Sequence, residues 1–426
     1  MPADDVQNSP TGVSRRQFLG RSAYNAAGLA AGLVGLAAGA QARSPHETVH
    51  VGVIGVRRQG RKLAGAFAAS PNTNVHSLCD VDGNVLDRAC QELASGRRKP
   101  AAVRDFRHLL DNAEIDAVVI ATPDHSHAVL AEQALAAGKD VYLESPVSHS
   151  ITEGLALSAR ADQGQRVIQA GLFDRSLPHV RSAIEYVRSG QLGHVPLVKA
   201  WSVHRRPSEG FVTTEAPANV DYAGWLYPRP ERPFEASRFH RGWMNHWDYG
   251  SGDLGTWGVA LLDLARWGVG MEIPQRVSAF GHRVGEHPSE IPDTLQVTFA
   301  SQPTTIVWEH RRWSNHAPEG RSTGVAFHGE RGTLVLDRGG WKVYDSSDSI
   351  GENGRSDLTP HVDDFVAAVR SRRPTRASLR EGVLSANFCH LGNLAYRLGR
   401  ELTPDEVDAP LAGDAEAREL DFAGMA

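Results

Sequence analysis

Strand-like and helix-like segments alternate along the first third of this 426-residue chain. Short runs rich in apolar and β-branched residues are separated by segments with helical periodicity, and these runs lie at 50–54, 75–78, 117–121 and 140–143. The run at 117–121 is apolar at every position, which is typical of a parallel strand that is covered on both faces. The alternation predicts a doubly wound parallel sheet with helices on both faces, and such sheets bind ligands at the carboxyl ends of their strands.

A glycine pattern follows the first predicted strand. Gly55 and Gly60 occupy the first and third positions of the Gly-x-Gly-x-x-Gly pattern that holds the pyrophosphate of a dinucleotide, whereas Arg57 occupies the second. The Arg57 side chain would either block the phosphates or pair with them through its guanidinium. Asp80, at the end of the second predicted strand, suits either an adenosine ribose hydroxyl or a turn or helix cap. The segment therefore predicts a dinucleotide-binding unit with an altered phosphate loop.

Composition narrows the classes of partner and chemistry. A net charge of −5 and a pI of about 6.4 do not favour a nucleic-acid-binding protein, which usually presents a basic face. Three scattered cysteines are too few for a disulfide scaffold or a cysteine-based zinc site, and no pair of the 19 histidines has a strong ligand spacing. We therefore predict no nucleic-acid partner and no metal site. Only five lysines limit where a catalytic lysine could lie, namely Lys62, Lys99, Lys139, Lys199 and Lys342.

The first 46 residues have the pattern of an export signal. Ser-Arg-Arg-Gln-Phe-Leu at 14–19 is a twin-arginine pattern, a mildly apolar stretch follows at 23–40, and Ala-Gln-Ala at 40–42 is a small-x-small cleavage site. We predict that residues 1–46 are a twin-arginine (Tat) signal with a linker. A membrane anchor is the alternative for the apolar stretch. The expected location is the periplasm, either free or associated with the membrane.

Motifs at 121–127 and 137–146 resemble the Gfo/Idh/MocA oxidoreductase family. The first reads Ala-Thr-Pro-Asp-His-Ser-His, and the second contains Gly-Lys-Asp-Val-Tyr-Leu-Glu-Ser-Pro. The Trp-Asp-Tyr-Gly-x-Gly stretch at 247–252 is similar to that of exported members of the family. Further motifs follow in the family's order at 181–193, 243–267, 307–315 and 361–400.

The resemblance implies an α/β protein of two domains. An N-terminal Rossmann dinucleotide-binding domain would span 47–170, and a C-terminal α/β domain with a large open, mostly antiparallel sheet would span 171–426. Helices at 361–400 would pack back on the first domain, and a homo-oligomer is expected because relatives often associate through the second sheet. The strand-like runs of the second half agree with this architecture and lie at 197–205, 275–281, 294–299, 304–310 and 333–336.

The family reaction is hydride transfer between NAD or NADP and a carbinol carbon of a sugar or polyol. The resemblance and the glycine pattern together suggest positions that could hold NAD or NADP, and these are Gly55, Arg57, Gly60, Asp80, Thr122, Pro123, His125 and Glu144. A group of polar and aromatic residues in the second half suits a carbohydrate ligand and consists of His240, Arg241, Trp247 and Asp248.

The catalytic positions of the family are occupied here by residues that do not titrate near neutral pH. The family's Glu-Lys-Pro motif is Glu144-Ser145-Pro146, so a serine replaces the lysine that contacts the substrate hydroxyl and the cofactor. The family's Asp or Asn and the His four residues later correspond to Thr256 and Ala260, which would share one helix face. Asp263 is retained and suits either the site or a structural ion pair. We therefore predict no catalytic residue at the family positions.

Three functions of different classes remain open at the level of sequence. The chain could be an exported NAD(P)-dependent oxidoreductase with a rearranged proton-transfer site, for which Lys199 would be the best substitute lysine. It could be a catalytically inert binding or structural subunit of a periplasmic, membrane-associated complex. It could also be a non-redox enzyme, such as a glycosidase or lyase, on the same scaffold. The replaced residues favour a member whose redox activity is impaired or lost.

Overall fold

A computed structural model describes residues 48–94, 99–205, 215–284, 289–344, 350–408 and 414–422. The predicted export signal at 1–46 lies outside the described residues. Among the helices within the described ranges, none combines the length and the apolar character needed to cross a bilayer.

The first half of the chain forms a six-stranded, entirely parallel sheet. The strand order is β3-β2-β1-β4-β5-β6, which is that of a doubly wound dinucleotide-binding fold and confirms the predicted class. Its strands are β1 (Val49–Ile54), β2 (Thr73–Cys79), β3 (Ala101–Val103), β4 (Ala117–Ile120), β5 (Asp140–Leu143) and β6 (Ile168–Ala170). Its helices are α1 (Arg58–Ala69), α2 (Gly83–Leu93), α3 (Phe106–Leu110), α4 (Asp124–Ala136) and α5 (Ile151–Ala161).

The turn between β1 and α1 depends on glycine at two positions. Gly55 adopts a φ of +81°, a left-handed conformation that favours glycine. A Cβ atom at Gly60 would lie 1.7 Å from the Gly55 carbonyl oxygen, so α1 can approach the turn only because this residue has no side chain. Further along α1, Leu63 and Phe67 are fully buried against the sheet. The turn and the helix start are therefore held in one position at the carboxyl end of β1.

The second half forms an eight-stranded sheet in the order β14-β13-β12-β11-β7-β10-β9-β8. All neighbouring pairs are antiparallel except β7 and β10, which confirms the predicted large, mostly antiparallel sheet. Its strands are β7 (Leu197–Val203), β8 (Arg276–His282), β9 (Thr294–Ser301), β10 (Thr304–Arg311), β11 (Thr323–Gly329), β12 (Gly332–Asp337), β13 (Gly340–Tyr344) and β14 (Gly351–Asn353).

Helices of the second half join the two sheets. They are α6 (Pro178–Arg188), α7 (Tyr222–Leu226), α8 (Val259–Val269), α9 (Thr359–Ser371), α10 (Leu379–Leu398), α11 (Pro404–Asp408) and α12 (Ala415–Phe422). A π-helical turn, Leu254–Gly258, leads directly into α8. Phe365 of α9 makes an edge-to-face contact with Phe67, at a centroid distance of 5.9 Å, so the chain returns to the first sheet near its C-terminus.

A buried ion-pair network fastens α8 to its neighbours. The Arg175 guanidinium donates to both carboxylate oxygens of Asp263 at 2.7 and 2.8 Å, and Ser385 donates to the same carboxylate at 2.7 Å. Burial alone would raise the pKa of Asp263, but the Arg175 charge holds it below its ordinary value. Asp263 therefore has a structural role, which decides between the two alternatives that its sequence position left open.

Candidate functional site

A cavity of about 460 Å³ lies between the carboxyl ends of the first sheet and a wall formed by α8 and the ends of β11 and β12. Both halves of the chain contribute to its walls. Most of the residues predicted from sequence line it, namely Gly55, Arg57, Asp80, Thr122, Pro123, Glu144, Ser145, His240, Arg241, Thr256 and Ala260. The position at the end of parallel strands is where doubly wound folds bind ligands.

The turn between β1 and α1 forms one end of the cavity. The Gly55 N–H donates to the Cys79 carbonyl at 2.8 Å, which joins the ends of β1 and β2. Helix α1 begins at Arg58, and no side chain caps its first turn. The free N–H groups and the helix dipole at such an end favour an anion.

Arg57 lies beside this helix end. Its side chain is half-buried, and one terminal nitrogen of the guanidinium is buried without a hydrogen-bond partner among the described residues. Burial lowers the pKa of Arg57, and the nearby carboxylates of Asp80 and Asp82 oppose that shift. The arginine thus brings an unsatisfied donor to the place where the pattern normally has a glycine.

Asp80 both lines the cavity and holds the loop. Its Oδ2 accepts from the Val56 N–H at 2.8 Å, and its Oδ1 accepts from the Asp82 N–H at 3.0 Å. Burial raises the pKa of this carboxyl group, although both backbone hydrogen bonds oppose the shift. Asp82 provides the cap of α2 by accepting from the Asn84 N–H at 3.0 Å. Asp80 therefore stabilises the loop through its backbone hydrogen bonds and also lies at the end of the cavity where a ribose is predicted to bind.

The opposite end of the cavity contains the positions that are catalytic in the resembled family. Glu144 accepts from the Gln59 side chain at 2.9 Å, and burial raises the pKa of this carboxyl group. The Ser145 hydroxyl is 3.4 Å from the Gly171 carbonyl oxygen. Thr256 lies on the π-helical turn, with a buried hydroxyl that has no partner among the described residues, and Ala260 lies on the first turn of α8. All four residues line the cavity, which agrees with what the family resemblance implies.

Sequence reasoning missed a polar pair on the same wall. The Arg338 guanidinium donates to both carboxylate oxygens of Asp174 at 2.9 and 3.0 Å and stacks 4.4 Å from the centre of the Phe173 ring. The charge of Asp174 holds the pKa of Arg338 above its ordinary value, although burial alone would lower it. Phe173 and Asp174 lie in a 3-10 turn after β6, and Arg338 lies in the turn after β12, so no local spacing in the sequence links them.

Two predicted cofactor positions do not line the cavity as far as the described residues define it. The His125 ring packs against Tyr249, and its Nε2 is 3.1 Å from the Trp225 carbonyl oxygen. Burial lowers the pKa of His125 to about 3, which keeps the ring neutral. His127 lines the cavity instead, with ring nitrogens 2.8 Å from the Thr122 and 2.7 Å from the Pro146 carbonyl oxygens. The other position, Gly60, packs against the Gly55 carbonyl and the Ala121 side chain.

Two of the four predicted ligand-binding residues also lie elsewhere. Asp248 pairs with Arg232 at 2.6 Å, and the Trp247 ring lies 5.0 Å from the Arg397 guanidinium at a separate, smaller cavity. His240 and Arg241 do reach the main cavity. Within the described ranges, no group of three or more His, Cys, Asp or Glu side chains could hold a metal ion.

Two family models match this chain. One, described as an oxidoreductase family with an NAD-binding Rossmann fold, matches residues 49–172. The other, described as the C-terminal alpha/beta domain of an oxidoreductase family, matches residues 197–312. The chain belongs to the Gfo/Idh/MocA oxidoreductase family.

Curated relatives within the family are similar over a part of their length. A glycosyl hydrolase family 109 protein of Saccharopolyspora erythraea is 32% identical over 174 residues, which is 36% of this chain and 37% of the relative. An alpha-N-acetylgalactosaminidase of Shewanella oneidensis is 28% identical over 174 residues, which is 36% of this chain and 38% of that protein. The chain thus spans less than two fifths of the length of these relatives.

Solved structures of oxidoreductases share the fold over most of this chain. A levoglucosan dehydrogenase in complex with NADH superimposes with a TM-score of 0.66 at 18% identity, over 85% of this chain and 100% of that one. The aldose-aldose oxidoreductase from Caulobacter crescentus, complexed with glycerol, gives 0.66 at 18% identity, over 84% and 100%. These superpositions show that this chain has the same two-domain fold as those proteins, although the sequence identity is low.

Proposed function

We propose that this chain is an NAD-binding member of its family that holds a sugar- or polyol-like ligand and has lost efficient hydride transfer. The observation that carries the proposal is one continuous cavity with two chemically different ends. The loop of Gly55 and Arg57 lies at one end, and Ser145, Thr256 and Ala260 lie at the other. The first end suits a dinucleotide, and the second lacks a proton-transfer group at the family's positions.

The described residues fit a dinucleotide. Gly55 and Gly60 shape the turn, and the uncapped start of α1 lines the cavity. Arg57 offers a buried donor that has no partner among the described residues. Asp80 and Asp82 line the end where the adenosine ribose would lie. Two carboxylates there would bind ribose hydroxyls and repel an additional phosphate, so we expect NAD to bind about tenfold more tightly than NADP.

The end of the cavity that contains Ser145, Thr256 and Ala260 can hold a hydroxyl group of a ligand. None of these three side chains, which occupy the family's catalytic positions, can accept the proton of that hydroxyl. A bound nicotinamide would supply the hydride acceptor or donor. The hydroxyls of Ser145 and Thr256 can donate or accept hydrogen bonds without titrating near neutral pH, and Ala260 offers only a methyl group. A positioned acid or base typically contributes 10²- to 10⁴-fold, roughly, to such a step. We expect the reaction rate to fall by about that factor.

A binding and restoration experiment tests this proposal. Nucleotide-free protein is titrated with NAD⁺ and NADP⁺ by calorimetry, and absorbance at 340 nm is followed with NAD⁺ and a panel of sugars and polyols. We expect NAD⁺ to bind and NADH to form negligibly. The double variant Ser145→Lys with Ala260→His should gain activity, whereas the size-matched control Ser145→Met with Ala260→Phe should not. Absence of NAD⁺ binding, or rapid NADH formation by the unmodified chain, would overturn the proposal.

A glycosidase activity is the second candidate, and the names of the relatives in glycosyl hydrolase family 109 favour it. Glu144 and Asp174 are buried carboxylates on the reactive wall, and carboxylates are the usual groups for glycoside cleavage. Release of 4-nitrophenol from its α-N-acetylgalactosaminide distinguishes the two candidates. Release that is abolished by Glu144→Gln would establish the glycosidase, and no release above that variant would exclude it for this substrate.

The place of action is a separate proposal that rests on the twin-arginine pattern at the N-terminus. We propose export to the periplasm by the Tat pathway. Replacing Arg15 and Arg16 by lysine should retain the protein in the cytoplasm, as measured by cell fractionation.

An inert member of the family would act as a binding subunit of a complex. Co-purification from a native membrane fraction tests that role, and light scattering determines the oligomeric state.

A further inference from the structure

A second, smaller cavity lies beside α10 and is separate from the main cavity. Its volume is about 40 Å³, against about 460 Å³ for the main cavity, and the two linings have no residue in common within the described ranges. One water molecule needs roughly 10–15 Å³ of such volume, so the small cavity holds about three waters or a solute of roughly three or four heavy atoms. That size excludes a whole sugar or a nucleotide as its ligand.

One face of α10 supplies most of the polar lining of this cavity. His390, Asn393 and Arg397 are three and four positions apart, which places them on one side of the helix. The Asn393 side chain donates to the Ser251 carbonyl at 3.0 Å and so attaches the preceding loop to α10. In that loop, the Trp247 ring lies 5.0 Å from the Arg397 guanidinium. Helix and loop together therefore hold the guanidinium at the cavity wall.

Arg397 is a half-buried cation that forms no ion pair with any residue that the structure describes. Its Nη1 donates to the Leu420 carbonyl at 3.0 Å, and its other N–H groups make no hydrogen bond within the described ranges. Burial lowers its pKa, although the charges of Glu290, Asp248 and Asp421 oppose the shift. A guanidinium in this state has donors to spare for an anion.

The nearby carboxylates are bonded to other groups. Asp421 lines the cavity, but its Oδ1 accepts from the Ile151 N–H at 2.9 Å, and its Oδ2 accepts from the Thr152 N–H at 3.1 Å and hydroxyl at 2.7 Å. These bonds hold Asp421 at the start of α5. Asp248 and Glu290 are likewise paired with other side chains. The charge of Arg397 therefore lacks a direct partner among the described residues.

The two histidines of the lining add no charge of their own. His149 Nδ1 lies 2.7 Å from an Arg229 nitrogen, and because an arginine only donates, the ring hydrogen of His149 is on Nε2. His390 Nε2 is 3.4 Å from the Ser148 hydroxyl. Burial lowers the pKa of both rings, that of His390 to about 4, so both are neutral at neutral pH. The lining thus combines one unpaired cation with neutral hydrogen-bonding groups.

We propose that this cavity binds a small carboxylate of the size of formate or acetate. A carboxylate is planar and accepts two parallel hydrogen bonds from a guanidinium, so Arg397 would hold it through the N–H groups that make no other bond. Asn393 and His149 supply further donors at the same wall. The volume fits these anions, whereas a single halide ion could not use both arms of the guanidinium. The site is independent of the proposed binding of NAD.

Line broadening in ¹³C NMR spectra tests this binding. The purified full chain is titrated with ¹³C-labelled acetate and, separately, with labelled formate, at neutral pH and at constant ionic strength set with chloride. Arg397→Gln removes the cation, and Arg397→Lys keeps the charge but loses the paired donors. Arg276→Gln is the matched control, because Arg276 is exposed, pairs with Glu401 at 2.6 Å and lines neither cavity.

We expect saturable broadening by the unmodified chain with a dissociation constant of about 1 mM. Binding should weaken about tenfold or more in Arg397→Gln and severalfold in Arg397→Lys, and it should stay within twofold of the unmodified chain in Arg276→Gln. Formate should displace labelled acetate, whereas benzoate, which is too large for the cavity, should not. All variants should keep the circular dichroism spectrum of the unmodified chain.

Three results would overturn the proposed carboxylate site. They are the absence of saturable broadening with the unmodified chain, equal binding by the folded Arg397 variants and the control, and displacement of acetate by benzoate or by chloride as effective as that by formate. Calorimetric titration of the same preparations with NAD⁺ keeps the two proposals apart. Acetate binding without NAD⁺ binding would overturn only the proposed function, and the reverse result would overturn only the carboxylate site.

Discussion

Arg57 occupies the second glycine position of the phosphate loop, and replacing it by glycine tests how the loop binds an anion. The guanidinium has already lost part of its hydration, and one of its nitrogens lacks a partner among the described residues. A pyrophosphate beside the start of α1 would satisfy that nitrogen. A hydrogen bond to a charged group contributes about 1.5–3 kcal/mol, so Arg57→Gly should weaken NAD⁺ binding by roughly 10- to 150-fold.

Calorimetric titration of NAD⁺ into Arg57→Gly and Arg57→Met measures this effect. The methionine variant keeps most of the bulk and removes the charge, so the two variants separate steric from electrostatic effects. Both should bind NAD⁺ more weakly, and both should show less dependence on salt concentration than the unmodified chain. If Arg57→Gly binds more tightly while Arg57→Met does not, the arginine blocks the phosphates and the reasoning is refuted.

Three further predictions concern stability and are measured by urea unfolding. Gly60→Ala should destabilise the protein by about 3 kcal/mol or more, because its Cβ would lie 1.7 Å from a carbonyl oxygen. Gly65→Ala on the same helix is the control: its Cβ would have nothing within 4 Å, so it should stabilise the protein by about 0.5–1 kcal/mol. Equal effects of the two substitutions would contradict the close-packed turn. Asp263→Asn should destabilise by about 3–5 kcal/mol, because it leaves the Arg175 charge buried without its partner, and a loss below about 1 kcal/mol would argue against the network. Burial raises the pKa of Asp124 to about 7, so the folded state keeps a proton that the unfolded chain releases above about pH 4. This carboxyl group therefore lowers the free energy of unfolding as pH rises from about 4 to about 7, by up to about 1.4 kcal/mol per pH unit. Asp124→Asn should become more stable relative to the unmodified chain over the same pH range. A difference in stability that does not change with pH would contradict the raised pKa.

The parallel sheet could be predicted because its signals are local. The apolar run at 117–121 predicts a buried strand, and the glycine after β1 predicts a tight turn, each from a few consecutive residues. The structure has β4 at Ala117–Ile120 and the turn at Gly55. The family resemblance also predicted that Ser145, Thr256 and Ala260 share one site, because a resemblance carries information about contacts between distant segments. All three line one cavity.

The remaining features depend on contacts between distant segments. Asp174 and Arg338 are separated by 164 positions, and only the packing of the second sheet against the first brings them to one wall. His125 and His127 both belong to the polar stretch at 124–127, yet the geometry of α4 points His125 into a core of aromatic rings. The hydrogen bond from the Gly83 N–H to the Asn219 carbonyl oxygen is equally long-range, because it joins segments that lie far apart along the chain.

Hydrogen–deuterium exchange with and without saturating NAD⁺ tests the central claim most directly. If the cavity is a dinucleotide site, exchange should slow at the turn of residues 55–60 and at the loop of residues 80–83. The lining of the second smaller cavity, around Trp247 and His390, should not change. Unchanged exchange at the turn and at the loop under saturating NAD⁺, or protection confined to other regions, would contradict the proposed dinucleotide site.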